Sequence, residues 1–267
     1  MSGQLHHVAV GTGRPLVVLH GGKLDHRHMA DALEPVLSAC PGWRRLYLDL
    51  PGCGKSQGFD AIQCQDDVLA AVAGFIEEAC QGEPCAVIGE SRGAYLAQGL
   101  GHAHAGLLAG LALIVPGGLT AAAKAKLPAH RTMVADPELL AGLNPALRQR
   151  AEWLVVQRPE IVEKIERTKL PAAALLDAAL EARLQDRFLF SFHEAMQAGS
   201  FDKPALIVSG RQDAIAGTAD ALASLACYPR ATYGLLDTAG HFLAWERPEV
   251  FQALVADWLD RVAAEAG

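Results

Sequence analysis

Cys85-Ala86-Val87-Ile88-Gly89-Glu90-Ser91-Arg92-Gly93-Ala94-Tyr95-Leu96-Ala97 runs from an apolar strand pattern into a small-residue helical one, with a serine between two glycines at the junction. That arrangement is a nucleophile elbow. Small flanking residues permit a turn too sharp for most side chains, which forces the serine into strained backbone geometry and lifts its oxygen clear of a sheet. The following helix offers free backbone N–H groups and the positive end of its dipole beside the hydroxyl. A plain Gly/Ser turn would account for the five central residues alone. The strand before them and the helix after them favour the nucleophile.

Outward from this junction, strand-like and helical patterns alternate. Pro15–His20 and Arg45–Leu50 read as buried strands, Leu111–Val115 as the strand after the elbow helix. Asp25–Ala39 carries Met29, Leu33, Val36 and Leu37 near helical spacing. Asp66–Ala79 carries Val68, Leu69, Val72, Phe75 and Ile76 on one face. Such alternation calls for parallel strands joined by crossover helices, hence an α/β fold with a mostly parallel central sheet flanked by helices. From about Thr120 to Ala198 no convincing strand occurs. Prolines there suit the first turns of helices over Pro145–Gln157, Pro159–Thr168 and Pro171–Leu184. Alternation resumes with Pro204–Ser209 and Ala231–Leu236, and Pro248–Ala264 closes the chain as an amphipathic helix. The expected organisation is a core of residues 1–118 and 201–267, with residues 119–200 inserted as a helical lid.

With 267 residues, 51% of them apolar and 20% charged, the chain can bury a sizeable core. A net charge of −7 with no dense Lys/Arg cluster argues against nucleic acid or an anionic membrane as partner. The first seven residues lack the basic start and apolar core of a secretory signal. The uncharged stretch Ala105–Ala123 loses its apolar character at Pro116-Gly117-Gly118, too early to span a bilayer. Six scattered cysteines show no metal-ligand spacing, so reduced thiols in a soluble cytoplasmic protein are expected. Gly54-Lys55-Ser56 invites a phosphate-loop reading, but Asp49 stands where that loop needs a glycine.

The chain resembles the α/β-hydrolase fold family over nearly its whole length, and within it the lidded serine hydrolases: esterases, carbon–carbon bond hydrolases and proline-iminopeptidase-like enzymes. The matching stretches are His20-Gly21-Gly22, Asp49-Leu50-Pro51-Gly52-Cys53-Gly54-Lys55-Ser56, Gly89–Gly93, Gly210-Arg211-Gln212-Asp213 and Gly240-His241. The resemblance implies a triad in the family's order: Ser91 as nucleophile, Asp213 as acid, His241 as base. Asp213 and His241 each follow a core strand, where α/β sheets place their sites. Asp237 is the alternative acid. Of the other nine histidines, His20 reads as a structural hydrogen-bonder, and the rest fall at a helix start, in the loop-like Gly101–Gly106 region, in surface segments or in the lid. The resemblance also implies an oxyanion hole made by the backbone N–H groups of Gly22 and Arg92, with Lys23 a competitor for the first. It implies no metal or organic cofactor and a small-molecule substrate, a carboxylic ester or related acyl compound. Arg92 and Ala94 depart from the bulky apolar residue and glycine common in relatives, so substrate choice stays open. Arg92 either favours an anionic substrate or forms an ion pair with Glu90 that fixes the elbow. Leu143, Trp153, Leu154, Phe188, Phe190 and Phe192 are candidate pocket walls, each also suited to core packing. Two alternatives remain open: another enzyme on the scaffold, with Glu181, Asp186 or Glu194 holding the amine of an aminopeptidase substrate, or a non-catalytic binding protein.

Overall fold

Seven strands form one sheet in a computed structural model that describes residues 3–265. They are β1 His7–Val10, β2 Arg14–Leu19, β3 Trp43–Leu48, β4 Cys85–Glu90, β5 Leu108–Ile114, β6 Ala205–Gly210 and β7 Ala231–Leu236, in spatial order β1-β3-β2-β4-β5-β6-β7. All pairings are parallel except β1 against β3. β4, fully buried along its six residues, lies at the centre, so the elbow serine emerges from the middle of the sheet. Continuous apolar runs such as Leu16–Leu19 and Ala86–Ile88 follow from burial on both faces.

Helices cover those faces. α1 (His26–Leu37) and α4 (Pro248–Glu265) pack on one side through Met29, Leu33, Phe251, Val255 and Trp258. α2 (Gln65–Cys80) and α3 (Arg92–Ala103) pack on the other through Val68, Leu69, Val72, Tyr95 and Leu96. Among the described residues no helix is long and apolar enough to cross a membrane.

Between β5 and β6 the chain forms short helices joined by loops, with one isolated bridge, Val134 with Val156. Two helix expectations change in detail. The helix opened by Pro145 ends at Ala151, and Leu154 and Val155 instead pack in a separate apolar cluster with Trp245. Pro171 opens no helix. It lies inside a continuous run from Pro159 to Ala174, which passes through a π-helical turn at Ile165–Lys169 where Leu170 N–H bonds back to Ile165 O. Proline lacks an N–H and crowds the carbonyl four residues earlier, and the wider turn just before it relieves that conflict. The chain then breaks, and a new helix starts at Ala178, capped by Asp177.

Candidate active site

Ser91 has φ 53° and ψ −112°, a conformation that costs a non-glycine residue energy. The flanking glycines make it reachable. A Cβ on Gly89 would lie 2.2 Å from Gly93 O, and one on Gly93 would lie 2.3 Å from Leu19 O. No side chain fits at either position. Ser91 N–H donates to Ile114 O at 2.9 Å, which pins the turn to β5, and α3 starts at the next residue.

The hydroxyl faces a cavity of about 780 Å³ lined by Gly22, Ser91, Arg92, Glu181, Phe188 and Ile215, among others. Among the described residues the N–H groups of Gly22 and Arg92 have no protein acceptor. Two free amide donors therefore stand beside the serine at the wall of one cavity. Lys23, the competitor, has φ 61° and also lines this cavity.

Asp213 and His241 meet at the far ends of β6 and β7. His241 Nδ1–H donates to Asp213 Oδ2 at 2.9 Å, and Asp213 Oδ1 accepts from Ile215 N–H at 2.8 Å and Ala216 N–H at 2.9 Å. Gly210 permits the approach of the two loops: a Cβ there would lie 2.4 Å from Gly240 O. Burial, the largest influence on Asp213, opposes its charge, but His241 and the two amides together hold its carboxyl below the usual range. For His241 burial again weighs most and would lower the value. The Asp213 charge and hydrogen bond, joined by Glu90, outweigh it and raise the imidazole above its ordinary 6.5. With Nδ1 committed to the carboxylate, Nε2 is left as the basic atom. Among the described residues Ser91 Oγ makes no hydrogen bond to His241; such bonds are commonly long before a substrate is bound. Asp237 turns elsewhere, accepting from Gln212 Nε2 at 2.8 Å.

The charges flanking Ser91 do not pair with each other, which corrects the expected Glu90–Arg92 ion pair. Glu90 points from β4 toward α1, where His28 Nε2–H reaches its two oxygens at 2.9 and 2.7 Å. Burial works against the Glu90 charge, yet His28, Lys169 and His241 bring its carboxyl down to about 2. Arg92 points the other way and grips Glu181 of the insertion with two bonds, 2.7 and 3.0 Å, its guanidinium 5.1 Å from the Phe188 ring centre. Glu181 is thereby neutralised, which counts against its holding a substrate amine.

Of the expected pocket walls, Phe188 lines the cavity. Phe190 stacks on Tyr95 in the core, Leu154 is buried in an apolar cluster with Trp245, and Trp153 is 49% exposed. Two further groups near the site escape sequence reasoning. Glu246 accepts from Gly240 N–H at 2.6 Å and Val155 N–H at 2.7 Å, joining the histidine loop to the insertion. Lys169 places its ammonium 4.0 Å from the centre of the Phe242 ring, next in sequence to His241. The Asp49 turn carries no phosphate-loop geometry: its carboxylate is taken by His6, His26 and Lys55 N–H.

Residues 14–248 match the alpha/beta hydrolase fold family, and the chain belongs to that family of hydrolases. It is 28% identical to a 2-hydroxy-6-oxononadienedioate/2-hydroxy-6-oxononatrienedioate hydrolase of Pseudomonas putida, over 96% of this chain and 91% of that one. An alpha/beta superfamily hydrolase from Oenococcus oeni PSU-1 superposes with a TM-score of 0.86 at 24% identity, covering 98% of this chain and all of that one. A thermophilic esterase from Thermogutta terrifontis superposes with a TM-score of 0.68 at 23% identity, over 97% and 93% of the two chains.

Proposed function

We propose that this chain is a serine hydrolase that transfers an acyl group to water through Ser91, with carboxylic esters of small molecules as its substrate class. The observation that carries the reading is the strained elbow serine beside two unclaimed amide donors, on the same sheet edge as a buried His–Asp pair. Ser91 Oγ attacks the carbonyl carbon while His241 Nε2 takes its proton. The N–H groups of Gly22 and Arg92 hold the oxyanion, each such donor stabilising the transition state by about 3 kcal/mol. Asp213 keeps the imidazole oriented and offsets its charge. His241 then gives the proton to the leaving group, and water, activated by the same imidazole, releases the acid. The helical insertion, residues 119–200, acts as the lid that roofs this cavity and sets specificity. No metal or organic cofactor enters the scheme.

A second reading draws on the relatives named for 2-hydroxy-6-oxononadienedioate. That compound contains no ester, so its hydrolysis breaks a carbon–carbon bond beside the 6-oxo group, and the leaving group departs as a stabilised carbanion that needs a proton. The same residues would serve.

A fluorophosphonate probe tests the shared chemistry. The expected result is one covalent adduct on the native chain and none on Ser91→Ala, with turnover down on the order of a million-fold. A folded native chain that takes no label would instead support a binding protein. Assay of p-nitrophenyl acetate beside 2-hydroxy-6-oxononadienedioate then separates ester from carbon–carbon cleavage by their kcat/KM ratio.

A further inference from the structure

Asp49 is fully buried, and among the described residues no Lys or Arg side chain pairs with it. Each of its oxygens already holds a backbone donor. Oδ1 takes His26 N–H at 2.8 Å, and Oδ2 takes Lys55 N–H at 3.0 Å. Two imidazoles nevertheless converge on the same carboxylate: His26 Nδ1 lies 2.8 Å from Oδ1 and His6 Nδ1 lies 3.0 Å from Oδ2. As hydrogen-bond donors they are surplus, because the amides leave neither oxygen bare. Each ring can carry its proton on Nε2 instead, which turns Nδ1 into a lone pair beside an anion.

Among the described residues this is the one group of three His, Cys, Asp or Glu side chains whose ligand atoms draw together, all within 4.8 Å of one another. Three separate pieces of chain supply it: the residue before β1, the first residue of α1 and the turn after β3. Main-chain bonds hold them in register. His6 N–H donates to Ser56 Oγ at 2.8 Å, and Asp49 N–H donates to His6 O at 2.9 Å. Gly54 closes over the carboxylate, where a Cβ would lie 2.4 Å from Oδ2, so the acid cannot swing away. The His6 and His26 side chains are 27% and 17% exposed, which gives solvent a path to the ring side of a wholly covered carboxylate. His7 faces elsewhere and packs on the Phe75 ring.

Two imidazole nitrogens and one carboxylate oxygen are a donor set for a zinc-class divalent ion. Such an ion takes nitrogen at about 2.0–2.1 Å and carboxylate oxygen at about 2.0–2.2 Å, with water in its remaining position. The amides on Asp49 would keep that ligand oriented. We propose that His6, His26 and Asp49 form a binding site for a divalent transition-metal ion of the zinc class, which clamps the segment entering β1 to the start of α1. None of the three lines the cavity at Ser91, so the ion takes no part in acyl transfer, and the proposal stands or falls apart from that reading.

Zinc chloride and cobalt chloride, added to the chelator-treated full chain, test it. Calorimetry should show one Zn²⁺ bound with a Kd of about 10 μM or below. Co²⁺ should give the visible d–d bands of a four-coordinate ion without thiolate charge-transfer absorption, a reading that needs no variant. His6→Gln and His26→Gln each remove one ligand and leave the amide donors of Asp49 in place. Each should weaken zinc binding at least about tenfold, and zinc should raise Tm in the native chain but not in either variant. His130→Gln, a change in the segment between β5 and β6, should bind zinc as the native chain does. No binding at about 100 μM zinc, a thiolate band with cobalt, or native affinity in either His6→Gln or His26→Gln overturns the proposal. The cluster is then a hydrogen-bonded brace for the Asp49 turn.

Discussion

His241 and Asp213 shift each other in opposite directions, and each shift has a kinetic signature. As the proposed general base, His241 would work only when neutral, so its raised imidazole value should put the acid limb of kcat/KM above pH 6.5, its ordinary value. Asp213→Asn removes the charge that raises it and leaves burial, which lowers it. The acid limb should then move to lower pH while the plateau falls on the order of ten-thousand-fold. A pH–rate profile from pH 5 to 9 checks both, and an acid limb unmoved in Asp213→Asn would sink the pairing. Much of this was legible at single residues. The elbow glycines are dictated by sterics, since a Cβ at either would strike main chain at 2.2 or 2.3 Å, and a sequence under that constraint has few spellings. The partners of Glu90 and Arg92 were not legible. The two sit on either side of a sharp turn and diverge, so their counter-charges come from His28 and Glu181, residues that only the tertiary fold brings near.

Elements set what those residues can touch. β2 through β6 announced themselves by apolar runs because both sheet faces are covered there, whereas β7 is only partly buried along five of its six residues. β1 did not: its four residues are mostly exposed, it pairs only with β3, and a short edge strand has little apolar pattern to read. In the insertion, the prolines marked helix starts correctly at 145 and 159. At 171 the local rule gave way because a π turn absorbed the proline. The elbow helix and the insertion are linked by the bidentate Arg92–Glu181 pair, both partners under 10% exposed. Removing one partner strands a buried charge, so Glu181→Leu or Arg92→Met alone should each cost about 3–5 kcal/mol, and the double variant much less than the sum. Urea denaturation of the four proteins measures the coupling, and additive costs would mean that the pair carries no shared energy.

Across the whole molecule, the loop that carries His241, the proposed base, is held by contacts that reach the segment between β5 and β6. Glu246 takes Gly240 N–H with one oxygen and Val155 N–H with the other, so a single carboxylate ties the loop that carries His241 to the helical segment between β5 and β6. Burial raises its pKa, and the amide bonds only partly offset that. A raised native value means that folding favours the protonated form. The associated stability is fully present below the ordinary 4.5 and is lost as pH rises through the raised value. Glu246→Gln removes this titration and also sets an amide NH2 against one of the two backbone donors, leaving a buried N–H unsatisfied at a cost of about 1–3 kcal/mol. Unfolding of the variant should therefore be easier at and below pH 4.5, and the gap to the native chain should narrow at higher pH, because the variant lacks the decline that begins above pH 4.5. Amide exchange should quicken at Gly240–Phe242 and at Val155–Val156 in step, because one tether serves both. Faster exchange in only one of these segments would mean that the histidine loop and the segment between β5 and β6 are anchored independently.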